Sequence, residues 1–139
     1  MTQFMRKYAL RAFAALAIML GVAVVSAPAS AAGLEGKAFY AGCNLFGPDA
    51  GGQFATSFKA PFATNRTIRV YRDGQEVFGD TSPVPASIQE GRFLRVFQNG
   101  KWRVEVRLGD DNGPVIGWTT NQVNCPMAPT LSARRPELV

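Results

Sequence analysis

Turn-forming Gly, Pro, Asn and Asp recur roughly every eight to twelve residues beyond position 36, which leaves room for strands but not for ordinary helices. The intervening segments favour β-branched and aromatic residues, and none shows a helical period. Strands are therefore predicted over 36–41, 53–60, 66–72, 75–78, 92–98, 101–108 and 114–120. A Gly/Pro-rich loop is expected over 47–52, and a long projecting loop, stiffened by Pro83 and Pro85, over 79–86. Asn99-Gly100 is read as a type I′ turn joining 92–98 to 101–108 in a hairpin, because both residue types tolerate positive φ. From residue 126 onward, Pro, Arg and Ala without periodicity read as a disordered tail, 126–139.

Alternation divides these strands into faces. Ile68 and Val70 lie opposite Arg69 and Tyr71, and Leu94 and Val96 lie opposite Phe93, Arg95 and Phe97. Trp102, Val104, Val106 and Leu108 share one face, leaving Lys101, Arg103, Glu105 and Arg107 on the other. Trp102 and Trp118 are assigned to the core, since large aromatics dominate small β cores.

Ahead of the strands, Arg6, Lys7 and Arg11 precede an unbroken apolar run, 12–25, and then the small residues Ala29-Ser30-Ala31. This is the order of a secretory signal peptide, 1–31, cleaved near Ala31. The run is too short to span a bilayer comfortably as a helix. Removing the leader lowers the formal net charge from +5 to +2, so the basic balance is no argument for nucleic acid. About 108 residues remain, one domain with a modest core. Export to the periplasm or the medium also gives the two cysteines, Cys43 and Cys125, an oxidising compartment in which an isolated pair forms a disulfide. Tyr40-Ala41-Gly42-Cys43 is a poor lipoprotein box, with Tyr40 where a small aliphatic residue is wanted and Glu35 and Lys37 ahead of it.

Ile68-Arg69-Val70, Val77-Phe78-Gly79, the segment 88–96, the Trp102 hairpin and Ile116-Gly117-Trp118 follow one another in an order that resembles the bacterial Src-homology-3-like domains. Asp73-Gly74 replaces that family's usual Gly-Pro, and the spacing after Trp102 differs by one residue. The resemblance implies an all-β fold, a small Src-homology-3-like barrel or roll over 66–125 with an N-terminal β extension over 32–65, here pinned by one disulfide. It also implies a binding module of the cell envelope, with peptidoglycan or an envelope protein as partner.

Chemistry is sparse. The chain has no histidine, which removes the commonest general base and zinc ligand, and paired cysteines leave no thiolate. Asp110-Asp111-Asn112-Gly113 reads as a turn rather than a calcium loop, so no metal and no cofactor are expected. The candidate ligand face consists of Arg69, Arg95, Arg103 and Arg107 alternating with Tyr71, Phe93 and Phe97 over three neighbouring strands. The same arginines also read as a solvated face paired with Glu90, Glu105 and Asp110. A non-enzymatic envelope-binding module is the leading expectation. The alternative is a small disulfide-stapled inhibitor of a hydrolase that uses the loop 79–86, a rigid element needing little ordering on binding.

Overall fold

The computed structural model describes residues 33–127 and 134–139. The proposed signal peptide and its cleavage site lie outside the described residues. The strands are β1 (Glu35–Asn44), β2 (Gly51–Lys59), β3 (Thr64–Arg72), β4 (Gln75–Val84), β5 (Glu90–Val96), β6 (Gly100–Leu108), β7 (Val115–Val123) and β8 (Glu137–Leu138). They form two four-stranded antiparallel sheets, ordered β1-β2-β5-β8 in sheet A and β4-β3-β6-β7 in sheet B. The all-β class follows from the turn spacing. The division into two sheets does not, and among the described residues no ladder closes them into a barrel.

The inward sides meet in a core of Phe54, Ile68, Val70, Leu94, Val96, Trp102, Val104 and Val123. Alternation predicted the inward set on β3, β5 and β6, because burying one face of a strand forces every second residue inside. Trp102 is buried with its indole N–H donating to the Gln98 carbonyl at 2.9 Å, so its polar atom costs little.

The extension 32–65 is not an appendage. It supplies β1 and β2, half of sheet A, and the boundary at 65/66 falls inside β3. The expected 92–98/101–108 hairpin is also absent, since β5 belongs to sheet A and β6 to sheet B. The chain changes sheets at 97–99. There the Asn99 side chain accepts from the Cys125 amide (2.8 Å) and donates to the Cys125 carbonyl (3.1 Å). Gly100 takes φ 145°, while the two consecutive positive-φ residues of the type I′ pattern are Asp73 and Gly74, at 52° and 85°. An Asn-Gly pair is permissive of that turn, and here the Asn side chain is engaged elsewhere.

Most of the loop expected over 79–86 is strand instead, with only 85–86 left outside it. β4 runs from Gln75 to Val84, with Pro83 opposite Asn65. Proline is tolerated there because β4 is an edge strand, and a missing N–H on the solvent side breaks no ladder. The tail is likewise not wholly without structure, since Glu137 and Leu138 pair with Arg95 and Leu94 of β5.

Edges β1 and β7 meet where both carry glycine. A Cβ added to Gly117 would stand 2.3 Å from the Gly36 carbonyl oxygen, so only glycine permits this approach. The Cys43–Cys125 disulfide joins the opposite end of β1 to the segment just past β7, as the cysteine count predicted. Elsewhere the sheets are tied by Arg66 of β3, whose guanidinium reaches Glu90 of β5 with Nε at 2.6 Å and Nη2 at 3.1 Å.

Candidate functional site

Register decides which of the predicted ligand residues stand together. On sheet B, Arg69 lies opposite Glu105, Tyr71 opposite Arg103, and Thr67 opposite Arg107. The next strand places Thr120 against Arg103 and Trp118 against Glu105. Arg69, Tyr71, Arg103 and Arg107 therefore do share one outer face.

Phe93, Arg95 and Phe97 do not. They belong to β5 or its end and so to sheet A, a separation that strand faces read one at a time cannot reveal. Phe93 is exposed in a cross-strand row with Ala55 and the exposed Phe39. Arg95 is engaged with Asp49 at 3.5 Å and Glu137 at 3.9 Å. Phe97 is only 2% exposed, covered by the Arg134 guanidinium 4.0 Å from its ring centre. The outward assignment of Phe97 is thus corrected: β5 ends at Val96, and alternation loses its hold once the strand ends.

At the centre of the sheet B face lies Glu105, 6% exposed. Its carboxylate accepts from Arg103 Nε at 2.8 Å on one oxygen and from Arg107 Nη2 and Nε at 2.7 and 3.1 Å on the other. Burial alone would raise its pKa, but the hydrogen bonds and charges of Arg103 and Arg107 outweigh it and hold the carboxyl below its ordinary 4.5. Arg69 is held by Glu76 through Nη2 and through Nε at 3.3 Å. Its Nη1 and that of Arg107 both donate to the Asp111 carbonyl at 3.1 Å, fastening the turn before β7. Glu76 and Glu105 therefore offset two of these three arginine charges. Glu90, expected to face them, instead pairs inside with Arg66.

A carboxyl with a lowered pKa adds stability above its unfolded value, and that stability is lost as pH falls through its folded value. The melting temperature should therefore fall in acid, and Glu105→Gln should flatten the part of that fall lying below about pH 4.5. A thermal melt series from about pH 7 to about pH 2 on both proteins measures the difference.

The fourth element of the face is Trp118, 57% exposed, with Arg103 Cζ 4.4 Å above its ring. Its assignment to the core is corrected. Counting back from buried Val123 by strand alternation puts Trp118 on the opposite side, the signal that could have found it. Beside this stack, an open depression of ≈ 660 Å³ is lined by residues that include Tyr71, Lys101, Arg103, Glu105 and Thr120. A fixed guanidinium plane, an exposed indole, a phenol and a hydroxyl suit a polar ligand with a flat apolar side. With two of its three arginine charges offset, the face holds less attraction for a polyanion than its arginine count implies.

No protein-family model, curated protein or solved structure matches this chain.

Proposed function

We propose that the protein is an exported, non-enzymatic binding module that contacts the cell envelope through the Trp118–Arg103 face of sheet B. The observation that carries this reading is the exposed Trp118 ring held under a guanidinium that Glu105 has already oriented. Such a platform is preorganised, so stacking a ring or a flat amide on it costs little ordering. The Src-homology-3-like resemblance supports an envelope ligand, and the engagement of these arginines with Glu76 and Glu105 favours sugar or peptide over anionic polymer. Peptidoglycan has both components. An intact disulfide is compatible with a periplasmic or extracellular address, and no helix among the described residues is long and apolar enough to cross a membrane.

The inhibitor reading has less support, since most of the loop it used, 79–84, is strand.

Cosedimentation with purified peptidoglycan at low and high salt tests the proposal. Binding should persist at high salt, and Trp118→Ala should weaken it roughly tenfold. Because Trp118 is largely exposed, the same change should cost less than about 1 kcal/mol of stability. Arg95→Ala, on the other sheet, should leave binding intact. Failure of the wild type to sediment at either salt would exclude peptidoglycan as the ligand.

A further inference from the structure

The free side of β5 holds an extended segment with more specificity than two paired residues require. Leu94 pairs with Leu138 and Arg95 with Glu137, and the ladder continues as Phe93 and Val139 exchange both backbone hydrogen bonds, at 2.8 and 3.3 Å. Three of the segment's side chains are then engaged. Arg134 lies over the Phe97 ring at 4.0 Å and donates to Asp49 Oδ1 at 2.8 Å. Glu137 is met by Arg95 at 3.9 Å and takes a further bond from Arg134 at 3.0 Å. Leu138 packs against the core.

Main-chain pairing for affinity with alternate side-chain contacts for specificity is how strand-addition sites recognise peptides. The geometry points to a peptide-recognition site formed by the β5 edge, Asp49, Arg95 and Phe97. It takes an extended peptide with an arginine three residues before a glutamate-apolar pair, and the segment 134–139 fills it in cis.

The segment is held in a way that allows exchange. Its ion pairs are partly solvated, with Arg134, Asp49, Arg95 and Glu137 all one-third to one-half exposed, and such pairs contribute little each. Its ladder is three residues long. A tethered ligand this weak stays bound because the tether supplies a millimolar-range effective concentration, and a partner's peptide competes against that concentration alone. The site lies on the other sheet from Trp118 and does not depend on the envelope-binding reading.

The test uses the full chain and a fluorescein-labelled peptide with the sequence of residues 133–139, followed by anisotropy. Arg134→Ala/Glu137→Ala releases the cis segment, so this protein should bind the peptide at least about tenfold tighter than wild type. Adding Asp49→Asn to it, or replacing the peptide's first arginine with alanine, should remove most of that binding. Equal binding to both proteins, no binding to either, or indifference to that arginine would overturn the proposal. A parallel measurement on the wild type needs no variant to fold. Millimolar unlabelled peptide should shift the Val139 amide resonance as the cis segment is displaced, and an unmoved Val139 resonance would count against the proposal. A wild-type dimer that Arg134→Ala/Glu137→Ala converts to monomer would show that a second copy fills the site, overturning the cis assignment.

Discussion

Replacing Arg66 with methionine is expected to destabilise the fold by about 3 kcal/mol. The side chain is 1% exposed and binds two carboxylates at once, Glu90 through Nε and Nη2, and Asp80 through Nη1 at 2.9 Å. Burial alone would lower its pKa, yet the hydrogen bonds and charges of Glu90 and Asp80 outweigh that and raise it, so the charged form is the one the fold selects. Methionine fills much of the volume but leaves Asp80 without its cation and Glu90 with only the more exposed Arg92, 3.5 Å away. Asp80 and Glu90 keep 34% and 18% exposure, and water reaching them holds the expected cost to the lower end of the range for breaking a buried pair. The double change Arg66→Met/Glu90→Leu removes the less exposed of the two carboxylates and should recover at least about 1 kcal/mol. Denaturant midpoints of the three proteins decide it. A single-variant cost under about 1 kcal/mol would mean that the triad behaves as a solvated surface pair.

The second large effect is expected on reduction of Cys43–Cys125. The bond closes a loop of 82 residues, for which the chain-entropy model gives about 4.5 kcal/mol of stabilisation before any strain. A domain of this size commonly has only about 5–15 kcal/mol in all. Reduction also frees the corner at the far end of β1 from Gly36, where the Asn99 side chain clasps Cys125. The Tyr40 hydroxyl lies 3.3 Å from Cys125 Sγ and its ring packs on Phe54 at 5.0 Å, so loosening is transmitted directly to the core. Under reducing conditions the urea midpoint should fall sharply, and Cys43→Ser/Cys125→Ser should match reduced wild type. An unchanged midpoint would show that the corner holds without the covalent link.

These two residue sets differ in how far they were legible. The disulfide was legible because two cysteines allow a single intrachain pairing and the expected export would place them in an oxidising compartment. Arg66 gave no such signal. An arginine at the start of a strand is ordinarily solvated, and its burial depends on Glu90, a residue 24 positions away in the other sheet. The candidate face shows the same division. Arg69, Tyr71, Arg103 and Arg107 were correctly grouped because they lie on strands whose alternation is strong. Arg95, Phe93 and Phe97 were wrongly joined to them because Asn99-Gly100 was read as a hairpin turn.

What the amino-acid order determined alone is therefore local: strand-forming segments, the side of each strand that must be buried, and a covalent link expected from compartment and count. These depend on a period of two, on turn chemistry and on redox state, all carried by neighbouring residues or by composition. The tertiary structure alone decided which strands share a sheet, that Trp118 is exposed over Glu105's strand, that Arg66 is buried, and that 134–139 occupies the β5 edge. The physical reason is that antiparallel pairing between distant segments is nearly degenerate in local energy. Packing against the opposite sheet and satisfaction of buried charge break that degeneracy.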